Sequence, residues 1–222
     1  MDNPAHTPRT AVLIGGTGLV GRELLALLLA SPWYRRVHVL LRRAVADIAA
    51  GPKLEVHRVD FTRLPAAFPR ADDAFIALGT TIKAAGSAAA FRGVDFDFVV
   101  GAARAAQAAG ATRLAVVSAL GADAQSRALY NRVKGEMEAA VAALGFATTV
   151  IAQPSLLVGD RAALGQAVRS REGWAIRLLE PVGALLPKAV RPIPARAVAA
   201  AMVDAMHAAR PGLSVLKSGA MQ

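Results

Sequence analysis

An apolar run, Ala11-Val12-Leu13-Ile14, leads without a break into Gly15-Gly16-Thr17-Gly18-Leu19-Val20-Gly21, and that loop opens a stretch of helical composition from Leu19 to Ala30. Few features constrain a chain more. The run has the unbroken hydrophobicity of a strand buried on both faces. Glycines at G-x-x-G-x-x-G spacing fit a strand–turn–helix junction that admits a pyrophosphate. In this reading Gly15 permits the tight turn, Gly18 lets backbone amides approach the phosphates, and Gly21 lets the helix pack close on the strand. Free N–H groups and the positive end of the helix dipole face the anion. Gly15, Thr17, Gly18, Leu19, Val20 and Gly21 are therefore the first candidate cofactor-binding residues.

The rest of the chain alternates short β-branched runs with Ala/Leu-rich stretches, the pattern of βαβ units and a parallel sheet. Strands are expected at Val37–Leu41, Leu54–Val59, Asp73–Leu78, Leu114–Ser118 and Thr148–Ile151, with a last one at Leu213–Leu216. Helices are expected at Val94–Ala109, Arg127–Leu144, around Trp174–Leu179, and at Arg196–Ala208. Pro65 and Pro69 leave little room for a helix between the third and fourth strands, and Gly79–Gly86 reads as a polar loop. The fold class is α/β, a Rossmann-type doubly wound sheet. One domain spans 1–222, and 155–222 contributes a small substrate-side cap.

Composition narrows the chemistry. With 222 residues and no cysteine, the chain can bury a core without staples, and disulfides, thiolate metal sites and Cys nucleophiles are excluded. Alanine dominates the 55% hydrophobic content, no run is long enough to span a membrane, and the start is polar, so a cytoplasmic setting is expected. The net charge of +10 comes mostly from scattered arginines without a basic run, which argues against nucleic acid. The four histidines show no ligand spacing along the chain, so no metal is expected. The Ala-rich helices are compatible with a homodimer face and equally with close helix–sheet packing.

The end of the second strand bears on cofactor choice. A carboxylate there would bind a ribose 2′-hydroxyl, whereas arginine suits a 2′-phosphate in charge and fork geometry. The sequence reads Leu40-Leu41-Arg42-Arg43 with no acid before Asp47, which favours NADP(H) over NAD(H). Farther on, Tyr130-Asn131-Arg132-Val133-Lys134 places a phenol and an ammonium on one helix face, and Ser118 ends the fifth strand. A phenol ordinarily titrates near ~10, and a neighbouring ammonium would lower it. Ser118 could then hydrogen-bond a substrate oxygen while Tyr130 transfers the proton. Ser118, Tyr130 and Lys134 are the candidate catalytic residues.

Together these residues resemble the short-chain dehydrogenase/reductase superfamily in its atypical branch, and within it the Tat-interactive-protein-2-like group of NADPH-binding proteins. Further stretches carry the likeness: Val59-Asp60-Phe61, Leu78-Gly79-Thr80-Thr81, Arg92-Gly93-Val94-Asp95, Tyr130 to Glu136, Gln153-Pro154-Ser155-Leu156-Leu157, Trp174 to Leu179 and Arg191 to Pro194. The resemblance implies that Asp60 and Phe61 border the adenine and that Leu78, Gly79, Thr80 and Thr81 line the cofactor past the fourth strand. It implies that Lys134 contacts the nicotinamide ribose, and that Pro154, Ser155 and Leu157 lie along the nicotinamide. The implied sheet order is 3-2-1-4-5-6, extended by a short C-terminal strand. One departure stands out: classical members add an Asn from the helix after the fourth strand, and this helix instead begins Val94-Asp95.

Two functions follow as expectations. The first is an NADP(H)-dependent oxidoreductase acting on a small carbonyl or alcohol. The second is a non-catalytic NADPH-binding regulator that reports redox state.

Overall fold

Residues alternate between two helical layers along each buried strand, and that alternation sets the architecture. The computed structural model describes residues 7–42, 51–64, 68–158 and 187–222. Strands β1 (Arg9–Ile14), β2 (Tyr34–Leu41), β3 (Leu54–Arg58), β4 (Asp73–Ile76), β5 (Arg113–Val117), β6 (Thr148–Gln153) and β9 (Gly212–Lys217) form a seven-stranded sheet in the order β3-β2-β1-β4-β5-β6-β9. Every pairing in it is parallel. The expected order is found, with the C-terminal strand added beside β6. A short parallel pair, β7 (Leu157–Val158) with β8 (Ile193–Pro194), stands apart from it. Nothing in the proline-rich sequence around Ile193 signals that strand.

Helices α1 (Leu19–Ala30) and α6 (Ala195–Ala208) cover one face of the sheet, and α4 (Phe98–Ala108) and α5 (Leu129–Ala142) the other. On the first face Ala11, Leu13, Val37 and Val39 meet Leu24, Leu28, Val198 and Met202. On the second, Val12, Ile14, Leu40 and Ile76 meet Val99, Ala103, Met137 and Val141. The alanine excess resolves into close packing, for Ala102, Ala103 and Ala106 of α4 are fully buried. Of the expected C-terminal cap, α6 and β9 complete the main sheet and its helical layer. Residues 159–186, including the helix expected at Trp174–Leu179, lie outside the described residues.

The segment after β4 departs most from expectation. Instead of a plain loop it holds two short helices, α2 (Ile82–Ala85) and α3 (Ala88–Arg92), capped by the Thr81 and Ser87 side chains. A π-helical turn, Gly93–Asp97, then carries α3 into α4, so the helix expected from Val94 starts with a widened turn. Such insertions re-aim a side chain and cluster at functional sites. Here the re-aimed residue is Asp95, which is fully buried.

The amino-terminal edge of the sheet is pinned by charge. Buried Asp73 accepts from Arg9 Nε at 3.0 Å, Arg113 Nε at 2.7 Å and the Tyr34 hydroxyl at 2.8 Å. Two arginines and a phenol thus satisfy one buried carboxylate, the condition under which such a charge is tolerated. Burial first, then the charge of Asp73, push the Tyr34 phenol far above its ordinary range. That reach to Asp73 also explains why β2 begins at Tyr34 rather than at the expected Val37.

Candidate cofactor and active site

The opposite, carboxyl edge of the sheet carries the glycine loop, and its geometry leaves no room for a side chain at Gly15 or Gly21. Gly15 has φ +88°, and a Cβ there would lie 2.5 Å from the carbonyl oxygen of Ala77, just past β4. A Cβ on Gly21 would lie 2.0 Å from Gly15 O, so α1 packs directly on the turn. Gly18 caps α1 without any side-chain hydrogen bond, and no acidic residue stands in the first turn. The amides there remain available to an anion, and the cradle fits a dinucleotide pyrophosphate. Val20 is core and Leu19 packs against the core, so their part in such a site is through backbone. Thr17 is half-buried in the turn.

Arg42 follows β2 directly and is exposed. Arg43 lies outside the described residues. Asp60 is exposed, and its Oδ1 accepts from Thr62 N at 2.9 Å and Thr62 Oγ1 at 2.7 Å. Those bonds hold its carboxyl below the usual carboxylate range and make it a turn former as it stands. Phe61 packs its ring 5.9 Å from Phe98.

Past β4 the chain converges on one ion pair. Lys134 Nζ lies 2.7 Å from Asp95 Oδ1, with both side chains almost wholly buried. The contact is a close charge pair and not a well-angled hydrogen bond, since Oδ1 lacks a properly directed donor. Oδ2 accepts from the Thr80 backbone N–H at 2.8 Å. Gly79 closes over the pair: a Cβ there would stand 3.5 Å from Asp95 Oδ1 and 3.8 Å from Lys134 Nζ. Leu78 packs against the α4/α5 core layer, and the Thr81 hydroxyl caps α2.

Tyr130 sits one turn before Lys134 on α5 and stacks on buried Phe91, ring centroids 5.4 Å apart. The expected lowering of its phenol by Lys134 is not what this arrangement gives. Lys134 is engaged by Asp95, and burial followed by the Asp95 charge push the Tyr130 phenol above its ordinary value. Asp95, Phe91 and the Arg92–Glu136 ion pair beside them are the parts that sequence reasoning did not place. Ser118 follows β5 directly, is 4% exposed, and its Oγ has no hydrogen-bond partner among the described residues. A buried hydroxyl without a partner is costly, which marks a place where another polar group belongs.

Beyond β6 the candidates are tied into the fold. Pro154 is buried and its carbonyl accepts from Leu120 N at 2.8 Å. The Ser155 hydroxyl bonds the Arg191 carbonyl and lies 2.9 Å from Ser218 Oγ. Leu157 belongs to β7 and packs on the α1/α6 layer.

Comparison with known proteins agrees with this geometry. Residues 15–173 match a family model described as NAD(P)H-binding. The mitochondrial protein FMP52-1 of Scheffersomyces stipitis is 38% identical over 68% of this chain and 69% of its own length. The mitochondrial protein fmp52 of Emericella nidulans is 35% identical over 73% of this chain and 79% of its own. An oxidoreductase of the short chain dehydrogenase/reductase family from Burkholderia thailandensis has the same fold, with TM-score 0.72 at 19% identity over 97% of this chain and 93% of that one. The fungal relatives correct one expectation: their mitochondrial names point away from a cytoplasmic setting. Among the described residues no helix is long and apolar enough to cross a membrane. The chain belongs to the NAD(P)H-binding family.

Proposed function

We propose that the chain is an NADP(H)-dependent oxidoreductase that reduces a small carbonyl compound or oxidises the corresponding alcohol. The observation that supports this most is the partnerless buried hydroxyl of Ser118 at the carboxyl edge of β5, in a fold that carries Tyr130 and Lys134 on the following helix. When bound, the nicotinamide supplies or accepts the hydride. Ser118 Oγ donates a hydrogen bond to the substrate oxygen and orients it. Tyr130 is held protonated by its raised pKa and delivers its proton to that oxygen during reduction. Lys134, neutralised by Asp95, holds the nicotinamide ribose. Arg42 takes the 2′-phosphate, and Gly15 to Gly21 take the pyrophosphate. Asp60 and Phe61 border the adenine, while Thr80, Thr81, Pro154, Ser155 and Leu157 line the remainder.

A second reading, an NADPH-binding regulator without turnover, is favoured by one observation. The ammonium that would activate Tyr130 as a base is occupied by Asp95. The two separate in a screen of aldehydes and ketones with NADPH. The enzyme predicts turnover that Tyr130→Phe abolishes while NADPH binding survives. Tight NADPH binding with no turnover on any substrate would leave the regulator. The mitochondrial names of the fungal relatives support a mitochondrial setting for either function.

A further inference from the structure

We propose that His38, Glu55 and His57 form a binding site for a divalent transition-metal ion of the zinc class, separate from the dinucleotide site. Spacing along the chain hides this set because the contact is made across strands. In the parallel register of β2 with β3, His38 lies opposite Glu55 and Leu40 opposite His57. Residues two apart share a face of a strand, so Glu55 and His57 project on the side from which His38 also projects. Three ligand atoms converge there. His38 Nδ1 is 2.9 Å from His57 Nε2 and 3.3 Å from Glu55 Oε2, and His57 Nε2 is 4.0 Å from the same oxygen. Zinc bound by nitrogen and oxygen at ~2.0–2.2 Å in tetrahedral geometry sets its ligands about 3.3 Å apart. The observed separations bracket that spacing.

His38 Nδ1 faces both His57 Nε2 and Glu55 Oε2, and a single ring nitrogen cannot direct one N–H or one lone pair at both. A cation among the three would meet every lone pair. Arg36 Nε binds Glu55 Oε1 at 3.1 Å, which holds the carboxylate and leaves Oε2 turned toward the histidines. Such outer partners orient metal ligands. His38 is buried, whereas Glu55 and His57 are open enough for an ion to enter. That opening arises because β3 is the edge strand and no α-helix occurs in the described residues 59–64 and 68–72 that follow it. Two imidazoles with one carboxylate suit zinc and its borderline neighbours rather than calcium or magnesium, and three protein ligands leave a position for water.

The test titrates zinc(II) into the untagged full-length chain by calorimetry, with cobalt(II) as the coloured probe. Expected are one equivalent bound per chain, tetrahedral cobalt d–d bands, and a Tm that rises with zinc concentration. Loss of an outer partner alone weakens metal sites by roughly 10–100-fold. His57→Ala and Glu55→Gln, each replacing a partly exposed ligand, should therefore each weaken zinc by at least about tenfold. Their melting in chelator should match the parent chain. No zinc bound by the parent chain would overturn the proposal, as would unchanged affinity in both variants. In either case the cluster is a histidine–histidine hydrogen bond and nothing more.

Discussion

Lys134 and Asp95 face each other at 2.7 Å in a nearly solvent-free space, one on α5 and the other on the π turn that precedes α4. Removing one partner of such a pair leaves an uncompensated buried charge, at a cost of ~3–5 kcal/mol. Asp95→Asn should lower stability by about that amount in urea unfolding. Adding Lys134→Met should restore a large part of it, because both charges are then gone. The chain has only two tyrosines, so tyrosinate absorbance reports on few groups. Asp95→Asn should shift the earlier of its two titrations to lower pH. A titration that stays in place would show that Asp95 does not act on Tyr130.

Alkaline pH tests both phenols. The folded-state values of Tyr34 and Tyr130 lie above their ordinary one, with burial the main cause in each case. A raised folded value means that the contribution to stability is complete below the unfolded pKa of ~10 and is lost as pH rises past it. The urea midpoint should hold steady up to about pH 9 and fall above about pH 10. The Tyr34→Phe/Tyr130→Phe double variant should flatten that fall. An equally steep decline in the double variant would assign it to other groups.

Two helical glycines should respond to alanine with opposite sign. Gly101 in α4 has open space where a Cβ would go, so Gly101→Ala should stabilise by ~0.5–1 kcal/mol through helix propensity. At Gly135 in α5 a Cβ would sit 2.1 Å from the backbone N of Ala124. Gly135→Ala should destabilise by ~1–3 kcal/mol and shift the 119–128 segment that leads from Ser118 toward Tyr130. Thermal melts of the two single variants decide the matter, and a gain in both would refute the close approach.

The proposed preference for NADP(H) rests on Arg42. A charge-assisted contact to a 2′-phosphate is worth ~1.5–3 kcal/mol. Arg42→Ala should therefore weaken NADPH by roughly tenfold or more and leave NADH within about twofold. Equal weakening of both, read by fluorescence titration, would remove Arg42 from the phosphate site.

Most of the sheet was legible because its central strands are apolar runs, β3 (Leu54–Arg58) being the exception, and β1 with its glycine turn lies where the sequence puts it. Cross-chain electrostatics were not. Asp95 was visible as a departure from the Asn of classical short-chain dehydrogenases/reductases, but nothing along the sequence says that a π turn aims it at Lys134. The same holds for His38 and His57, which only the β2/β3 register brings together. The β7–β8 pair was hidden for another reason. Two-residue strands lack any periodicity, and Ile193 sits between prolines that ordinarily argue against a strand.

The layer that seals α1 onto the sheet comes from the far end of the chain. Leu24 and Leu28 of α1 share a core with Val198, Met202 and Met206 of α6, and β9 pairs with β6. On the ribosome, the nucleotide loop is therefore made long before the helix that covers its own helix's flank. Until Ala195–Lys217 emerges, one apolar face and the open edge of β6 stay bare, exposed to the aggregation that threatens slow parallel sheets. The motif is thus translated well before the elements that bury the far flank of α1 and the edge of β6.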